Sequence, residues 1–176
     1  MKKRNIVIVI MLVIATLMNA SLPVYAATEH TPETSCEIDV QLNDTIGFKL
    51  FKSHASKIPV PNQEKGKSYT SDSYNGYFYL ISTNQVISTH SFTAYFSYDG
   101  TLVTCYRTES NVLMDNDYTG NLRSNAEGEG HNSVTPTLAY GYVTFVLYNQ
   151  NGSVNTEVTV NIYCNQSGTT WVERQG

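Results

Sequence analysis

The sequence predicts an all-β protein, an antiparallel β-sandwich, and three observations lead to that fold class. Residues 138–164 form two runs of alternating apolar and polar side chains around Asn151-Gly152. A second pair of alternating runs flanks Asp99-Gly100. Such alternation is the pattern of half-buried strands, and these dipeptides are strong hairpin signals. The remaining apolar runs are also short and bounded by turn residues, which favours a sandwich over a helical fold.

The last hairpin has the clearest register. A type I′ turn at Asn151-Gly152 would place Gln150 opposite Ser153 and determine every pair beyond it. A slip of one residue would send the whole apolar set into water, so the register is strongly specified. The predicted inner face carries Val143, Phe145, Leu147, Thr156, Val158, Val160 and Ile162.

The register of the second hairpin is also predicted from its turn. A tight turn at Asp99-Gly100 pairs Ala94 with Cys105 and Phe92 with Arg107. The predicted inner face therefore carries Phe92, Ala94, Phe96, Val103, Cys105 and Arg107.

The other segments are less regular. Residues 36–50 alternate as two strands would; a helix is the alternative, because Ile38, Leu42 and Ile46 recur every four residues. Residues 76–82 are apolar on both parities, which predicts a central strand, and residues 169–172 predict a short edge strand.

Two polar segments give little periodicity and are predicted to be long connections. Residues 53–75 contain two prolines and suggest a surface excursion with a short strand near Val60. Residues 111–132 are rich in Asp, Asn, Glu and Gly, and are expected to lead from one sheet to the other.

The N-terminus predicts export. Lys2, Lys3 and Arg4 precede an apolar run at residues 6–18, and Ala26 supplies a small residue for cleavage. The alternative is a retained membrane anchor, but the apolar run is shorter than the roughly 20 residues that a span needs. We therefore expect residues 1–26 to be a cleaved signal peptide, 27–35 a flexible leader and 36–176 one domain, secreted to the exterior of a bacterium.

Composition excludes some classes of partner. The signal peptide would remove three of the 11 basic residues, leaving 8 against 15 acidic ones. The chain that remains contains no Lys/Arg cluster. Nucleic acid is therefore a poor partner, and no stable membrane insertion is expected after cleavage.

Cys36, Cys105 and Cys164 allow at most one intramolecular disulfide. Parity places Cys105 opposite Ala94 and Cys164 opposite Ala139, so each faces a small residue. This predicts a bridge between Cys105 and Cys164; a bridge using Cys36, or three free thiols, are the alternatives.

Such an inter-sheet bridge resembles immunoglobulin-like layering, but the immunoglobulin signature is absent. Ile162, not a tyrosine, lies two residues before Cys164, and Trp171 follows that cysteine.

Metal binding has two weak candidates. Asp115 and Asp117 begin a segment with the spacing of the first half of a calcium loop, but the closing glutamate is missing. Glu127, Glu129 and His131 alternate with glycines, which favours a flexible loop over a ligand set. No cofactor is predicted.

The most informative surface is aromatic. Tyrosines among Asn, Thr and Ser suit recognition, because a rigid ring offers contact area and its hydroxyl offers hydrogen bonds. Cross-strand tyrosine pairs also stabilise any sheet, which is the structural alternative. The outward faces of the two hairpins are predicted to carry Tyr140, Tyr142, Tyr148, Tyr163, Tyr95 and Tyr106.

The sequence contains no recognisable nucleophile or metalloprotease motif, and its four histidines lie far apart. We therefore expect a secreted, non-enzymatic binding module for an extracellular glycan or protein surface. A toxin-like or antimicrobial effector is the first alternative, and a small extracellular hydrolase is the second.

Overall fold

A computed structural model describes residues 35–53, 64–115 and 121–175; for Met114 and Asp115 it describes the backbone alone. These ranges form two antiparallel β-sheets and contain no helix. Consequently no helix in them is long and apolar enough to cross a bilayer. The strands are β1 (Cys36–Gln41), β2 (Ile46–Ser53), β3 (Ser68–Leu80), β4 (Val86–Tyr98), β5 (Val103–Asp115), β6 (Leu122–Thr135), β7 (Leu138–Asn149), β8 (Val154–Asn165) and β9 (Thr170–Gln175).

The all-β prediction is confirmed, and the two sheets pack face to face. The five-stranded sheet has the order β1-β2-β3-β4-β5, and the four-stranded sheet has the order β6-β7-β8-β9. Phe48 and Phe145, one from each sheet, stack with ring centroids 6.0 Å apart. A single buried cluster draws on both inner faces. This arrangement is consistent with a β-sandwich.

The predicted inner face of the last hairpin is confirmed. Its six large apolar members are all buried, whereas Thr156 is half-buried near the turn. Val143 pairs with Val160 and Phe145 with Val158, as the alternation required. Core burial therefore sets the register of this hairpin.

The turn of that hairpin differs from the predicted type I′. Gly152 has a φ of 82°, but Asn151 has no positive φ, which a type I′ turn would require. The amide of Asn149 donates to the Ser153 carbonyl at 2.8 Å, enclosing a three-residue loop. One register shift beside Tyr148 absorbs the difference, so the core pairs are unaffected.

The register predicted for the second hairpin is wrong by two residues. Tyr98 pairs with Val103, and Phe96, not Ala94, pairs with Cys105. The cause is a longer turn: the Asp99 carboxylate accepts hydrogen bonds from the amides of Thr101 and Leu102, at 2.8 and 2.7 Å. A capping side chain therefore overrides the two-residue turn that Asp-Gly suggested.

A β-bulge changes the faces of β5. Phe96 pairs with Cys105 but Tyr95 pairs with Arg107, so Tyr106 is an extra residue. Arg107 consequently lies on the outer face, 5.5 Å from the Tyr95 ring centroid, instead of in the core.

The remaining segments are partly as predicted. Residues 36–50 form strands, and residues 76–80 and 170–172 lie in the central strand β3 and the edge strand β9. The two predicted connections are shorter than expected, because β3 begins at Ser68 and β6 at Leu122. The signal peptide, most of the leader and Val60 lie outside the described residues.

Candidate functional site

The outer face of the four-stranded sheet brings four aromatic rings together, and we call Tyr140, Tyr142, Tyr163 and Trp171 the aromatic platform. Tyr140 pairs with Tyr163, and Tyr163 pairs with Trp171. The ring centroids of Tyr140 and Tyr163 are 5.4 Å apart, as are those of Tyr163 and Trp171; the latter pair is stacked at 14°. Tyr142 lies 6.1 Å from Tyr140. The row therefore crosses three strands.

A glycine on the next strand allows Tyr142 to lie close to the sheet. Gly130 pairs with Tyr142, and a Cβ at Gly130 would stand 2.8 Å from the Tyr142 hydroxyl. An alanine there would displace the ring. Glycine thus lets an aromatic side chain pack directly on the neighbouring backbone.

Asn161 lies beneath the platform and has an unpaired polar atom. It pairs with Tyr142 on one side and with Glu173 on the other, and it is only 5% exposed. Its Nδ2 donates to the Tyr163 hydroxyl at 3.3 Å, whereas its Oδ1 has no hydrogen-bond partner. A buried acceptor without a donor costs about 1–3 kcal/mol.

The platform also presents unengaged hydroxyl groups. No hydrogen bond joins the hydroxyls of Tyr140 and Tyr142 to other residues in the described ranges. All four platform residues are half-buried, and no other layer of the described chain covers them. The face therefore offers ring surface and two free hydroxyls, and one unpaired amide oxygen is buried beneath them.

Three of the four tyrosines predicted for this face join the platform, and Tyr148 does not. Tyr148 lies at the turn end of the sheet, where its hydroxyl donates to Glu127 at 2.5 Å. That hydrogen bond raises the pKa of Tyr148. Trp171 and Asn161 were missed as site residues, although the predicted register and edge strand would have placed both beside Tyr163 and Tyr142.

Tyr95 and Tyr106 lie on the outer side of the five-stranded sheet, as predicted; Tyr95 contributes little free surface, whereas Tyr106 is half-buried, as the platform residues are. Tyr95 is 6% exposed, and its hydroxyl donates to the Glu109 carboxylate. Burial, followed by that hydrogen bond, raises the pKa of Tyr95 to about 12. Tyr106 packs against it with ring centroids 6.2 Å apart. This pair is part of the packing of the sheet.

The predicted Cys105–Cys164 bridge is wrong in this structure, where all three cysteines are free thiols. The Cys105 Sγ donates to the Arg107 carbonyl at 3.6 Å, and the Cys164 Sγ donates to the Asn165 carbonyl at 3.4 Å. Each thiol is thus turned toward its own strand. Burial raises the pKa of Cys105 to about 12 and of Cys164 to about 11, so both are protonated at neutral pH.

The metal candidates are not assembled in the described chain. Asp115 ends β5, and Asp117 lies outside the described residues. Glu127 and Glu129 have different partners, Tyr148 and Ser110, because Gly128 adopts a φ of 60° in a β-bulge between them. Among the described residues, no group of three His, Cys, Asp or Glu side chains could hold a metal ion.

One histidine is buried in the core. His90 is fully buried, with its Nε2 3.1 Å from the Ser88 hydroxyl and its ring 4.6 Å from that of Phe145. Burial lowers the pKa of His90 to about 4. No described carboxylate is hydrogen-bonded to it, and the fully buried Ser88–His90 pair faces apolar rings. The pair is therefore enclosed by the core, where the His90 Nδ1 has no hydrogen-bond partner among the described residues.

Comparisons with protein-family models, curated proteins and solved structures give no match. The geometry of the aromatic platform is therefore the basis for inferring the function.

Proposed function

We propose that this protein is a secreted, non-enzymatic binding module that holds an extracellular glycan against the aromatic platform. Export rests on the predicted signal peptide at residues 1–26, and the fold assigned to the exported domain is a sandwich with immunoglobulin-like layering. The observation that carries the proposal is the row of rings above the unpaired amide oxygen of Asn161.

A glycan matches each part of that face. Aromatic rings provide flat apolar surface on which the C–H faces of a pyranose can lie, and the tyrosine hydroxyls remain free to hydrogen-bond. Asn161 Oδ1 is buried, so a sugar hydroxyl can donate to it only when a neighbouring platform ring rotates aside, and that contact removes the cost of an unpaired buried acceptor. A row of rings across three strands also suits a chain of repeated units.

The experiment is a binding screen of the protein, without residues 1–26, against an array of neutral and charged oligosaccharides. Hits are then measured by calorimetry with Tyr163→Ala and Trp171→Ala. Each ring deletion should weaken binding by about tenfold or more, as expected for a central aromatic contact.

Tyr77→Ala is the matched control. Tyr77 is half-buried on the outer face of the five-stranded sheet and, like Tyr163, has two ring neighbours, Phe51 at 5.6 Å and Tyr79 at 6.1 Å. Its removal should leave glycan affinity unchanged. Equal losses in all three variants, or no oligosaccharide bound, would contradict the proposal.

A further inference from the structure

The outer face of the four-stranded sheet carries an excess of negative charge. Strand register places Arg123, Glu127, Glu157 and Glu173 on the same side of the sheet as the platform. Three carboxylates thus share this face with one guanidinium group. A surface with such an imbalance attracts cations and repels polyanions.

The carboxylates lie at both ends of the face. Glu173 is in the same cross-strand row as Tyr142 and Asn161, and its Oε1 accepts a hydrogen bond from Trp171 Nε1 at 2.9 Å. Glu127 and Glu157 both raise the pKa of Tyr148 at the turn end.

No basic side chain of the described chain neutralises these carboxylates. The four ion pairs of the described ranges involve Asp39, Asp72, Glu64 and Glu109, none of which is on this face. Glu157 forms no hydrogen bond or ion pair with another described residue. The negative charge is therefore available to a ligand.

We infer that the ligand of this face is a glycan with positively charged amino groups, a polymer of unsubstituted amino sugars. The inference rests on the proposed function. A cation near an aromatic face is attracted by the ring quadrupole, and an ammonium group forms charge-assisted hydrogen bonds with carboxylates. Asn161 Oδ1 accepts from an ammonium group or a hydroxyl with equal ease. Phosphate-bearing or uronate-bearing polymers are repelled.

A lysine-rich peptide has the same charge but fits less well. It offers few hydroxyl groups to the free hydroxyls of Tyr140 and Tyr142. Its cations are also carried on long flexible side chains, whose ordering costs conformational entropy. The rigid repeated rings of an amino-sugar polymer avoid that cost.

The test is calorimetry with two oligomers of equal length and linkage, a glucosamine hexamer and an N-acetylglucosamine hexamer. At low ionic strength the glucosamine hexamer should bind about fivefold more tightly, the size expected for a few exposed charge pairs. Added salt should shrink that difference, because screening weakens exposed charge pairs.

The double variant Glu157→Gln/Glu173→Gln should move the preference toward one by weakening the glucosamine hexamer more than the N-acetylated hexamer. Glu64→Gln, remote from this face, should keep the preference. Equal affinities in the parent protein would overturn the charge inference and leave glycan binding intact. A lysine hexapeptide that binds as tightly as the glucosamine hexamer would overturn it in favour of a protein partner. Binding of neither oligomer would overturn the amino-sugar inference, and the proposed function would fall only if the oligosaccharide array also gave no hit.

Discussion

The outer faces of the two sheets are built alike but differ in how their polar groups are satisfied. Each face has a row of aromatic rings, and each lays one tyrosine on a cross-strand glycine: Tyr79 on Gly47 and Tyr142 on Gly130. On the five-stranded sheet the Tyr79 hydroxyl donates to Asp39 at 3.1 Å, and Lys49 Nζ lies 5.2 Å from its ring.

On the four-stranded sheet the polar atoms around Tyr142 are not satisfied in this way. The hydroxyl of Tyr142 has no hydrogen-bond partner among the described residues, and neither does the Asn161 Oδ1 below it. Tyrosine content alone therefore does not distinguish a structural face from a recognition face. The distinguishing feature is the buried, unpaired Oδ1 of Asn161, because the hydroxyls of Tyr77 and Tyr106 on the five-stranded sheet also have no hydrogen-bond partner among the described residues.

Acid should lower the stability of the whole fold, because both sheets pack on one core that contains His90. The buried His90 has a pKa of about 4, below its ordinary 6.5, so between those pH values the unfolded state binds a proton that the folded state does not. Stability is complete above pH 6.5 and should fall by about 3 kcal/mol as pH drops to 4. Urea unfolding measured across that interval checks the loss.

The variant His90→Asn should flatten this part of the pH profile even if its stability at neutral pH is lower. His131→Asn, which alters an exposed histidine, should keep the parent profile. An unchanged slope in His90→Asn would show that other groups cause the acid loss.

Removing one hydroxyl from each face should affect stability differently. Tyr95→Phe deletes the hydrogen bond to Glu109 and should lower the free energy of unfolding by about 1 kcal/mol. Tyr142→Phe deletes a hydroxyl without a described partner and should change stability by less than about 0.5 kcal/mol. Urea unfolding of both variants gives the comparison, and equal losses would contradict the assigned difference between the faces.

The register of the last hairpin could be predicted from the sequence, whereas the register of the second hairpin could not. Around Asn151-Gly152 the apolar alternation alone determined the pairs, so the opposition of Tyr140 and Tyr163 was predicted correctly. Around Asp99-Gly100 the side chain of Asp99 lengthened the turn, and the bulge at Tyr106 changed the parity of β5. Neither feature produces an alternation that can be read from one sequence.

The residues of the functional site were also predicted only in part, because strand parity carries limited information. Strand parity shows which residues share a face, but not which polar atoms remain unpaired, and the unpaired atom of Asn161 depends on the position of the surrounding rings. Burial of Asn161 on the outer side of a sheet also results from large neighbours, which parity does not reveal. The free thiols of Cys105 and Cys164 likewise depend on side-chain direction.

Substitution of Asn161 should separate binding from stability. Asn161→Leu removes a buried unpaired oxygen and also the hydrogen bond from Nδ2 to the Tyr163 hydroxyl; because the two effects oppose each other, the free energy of unfolding should stay within about 0.5 kcal/mol of the parent. Glycan affinity should nevertheless fall, by about tenfold for one lost buried hydrogen bond. Calorimetry and urea unfolding on the same variant check both values. A variant that unfolds more easily but binds normally would assign Asn161 a purely structural role.

The smallest expected effect concerns the thiols: the number of cysteines that a reagent labels should differ between the native and the denatured protein. Cys36 is exposed, whereas Cys105 on one sheet and Cys164 on the other are buried with raised pKa values. In the native protein a thiol reagent should modify Cys36 alone, and in denaturant it should modify all three. Only one reactive thiol in denaturant would show that two cysteines are bridged.

The most direct test of the recognition face uses Trp171, the only tryptophan in the chain, because it lies in the aromatic platform. Titration with an oligosaccharide that binds in calorimetry should change the intrinsic tryptophan fluorescence. The dissociation constant from the fluorescence change should equal the calorimetric one. Binding that calorimetry detects while the fluorescence of Trp171 remains constant would place the ligand elsewhere and contradict the account.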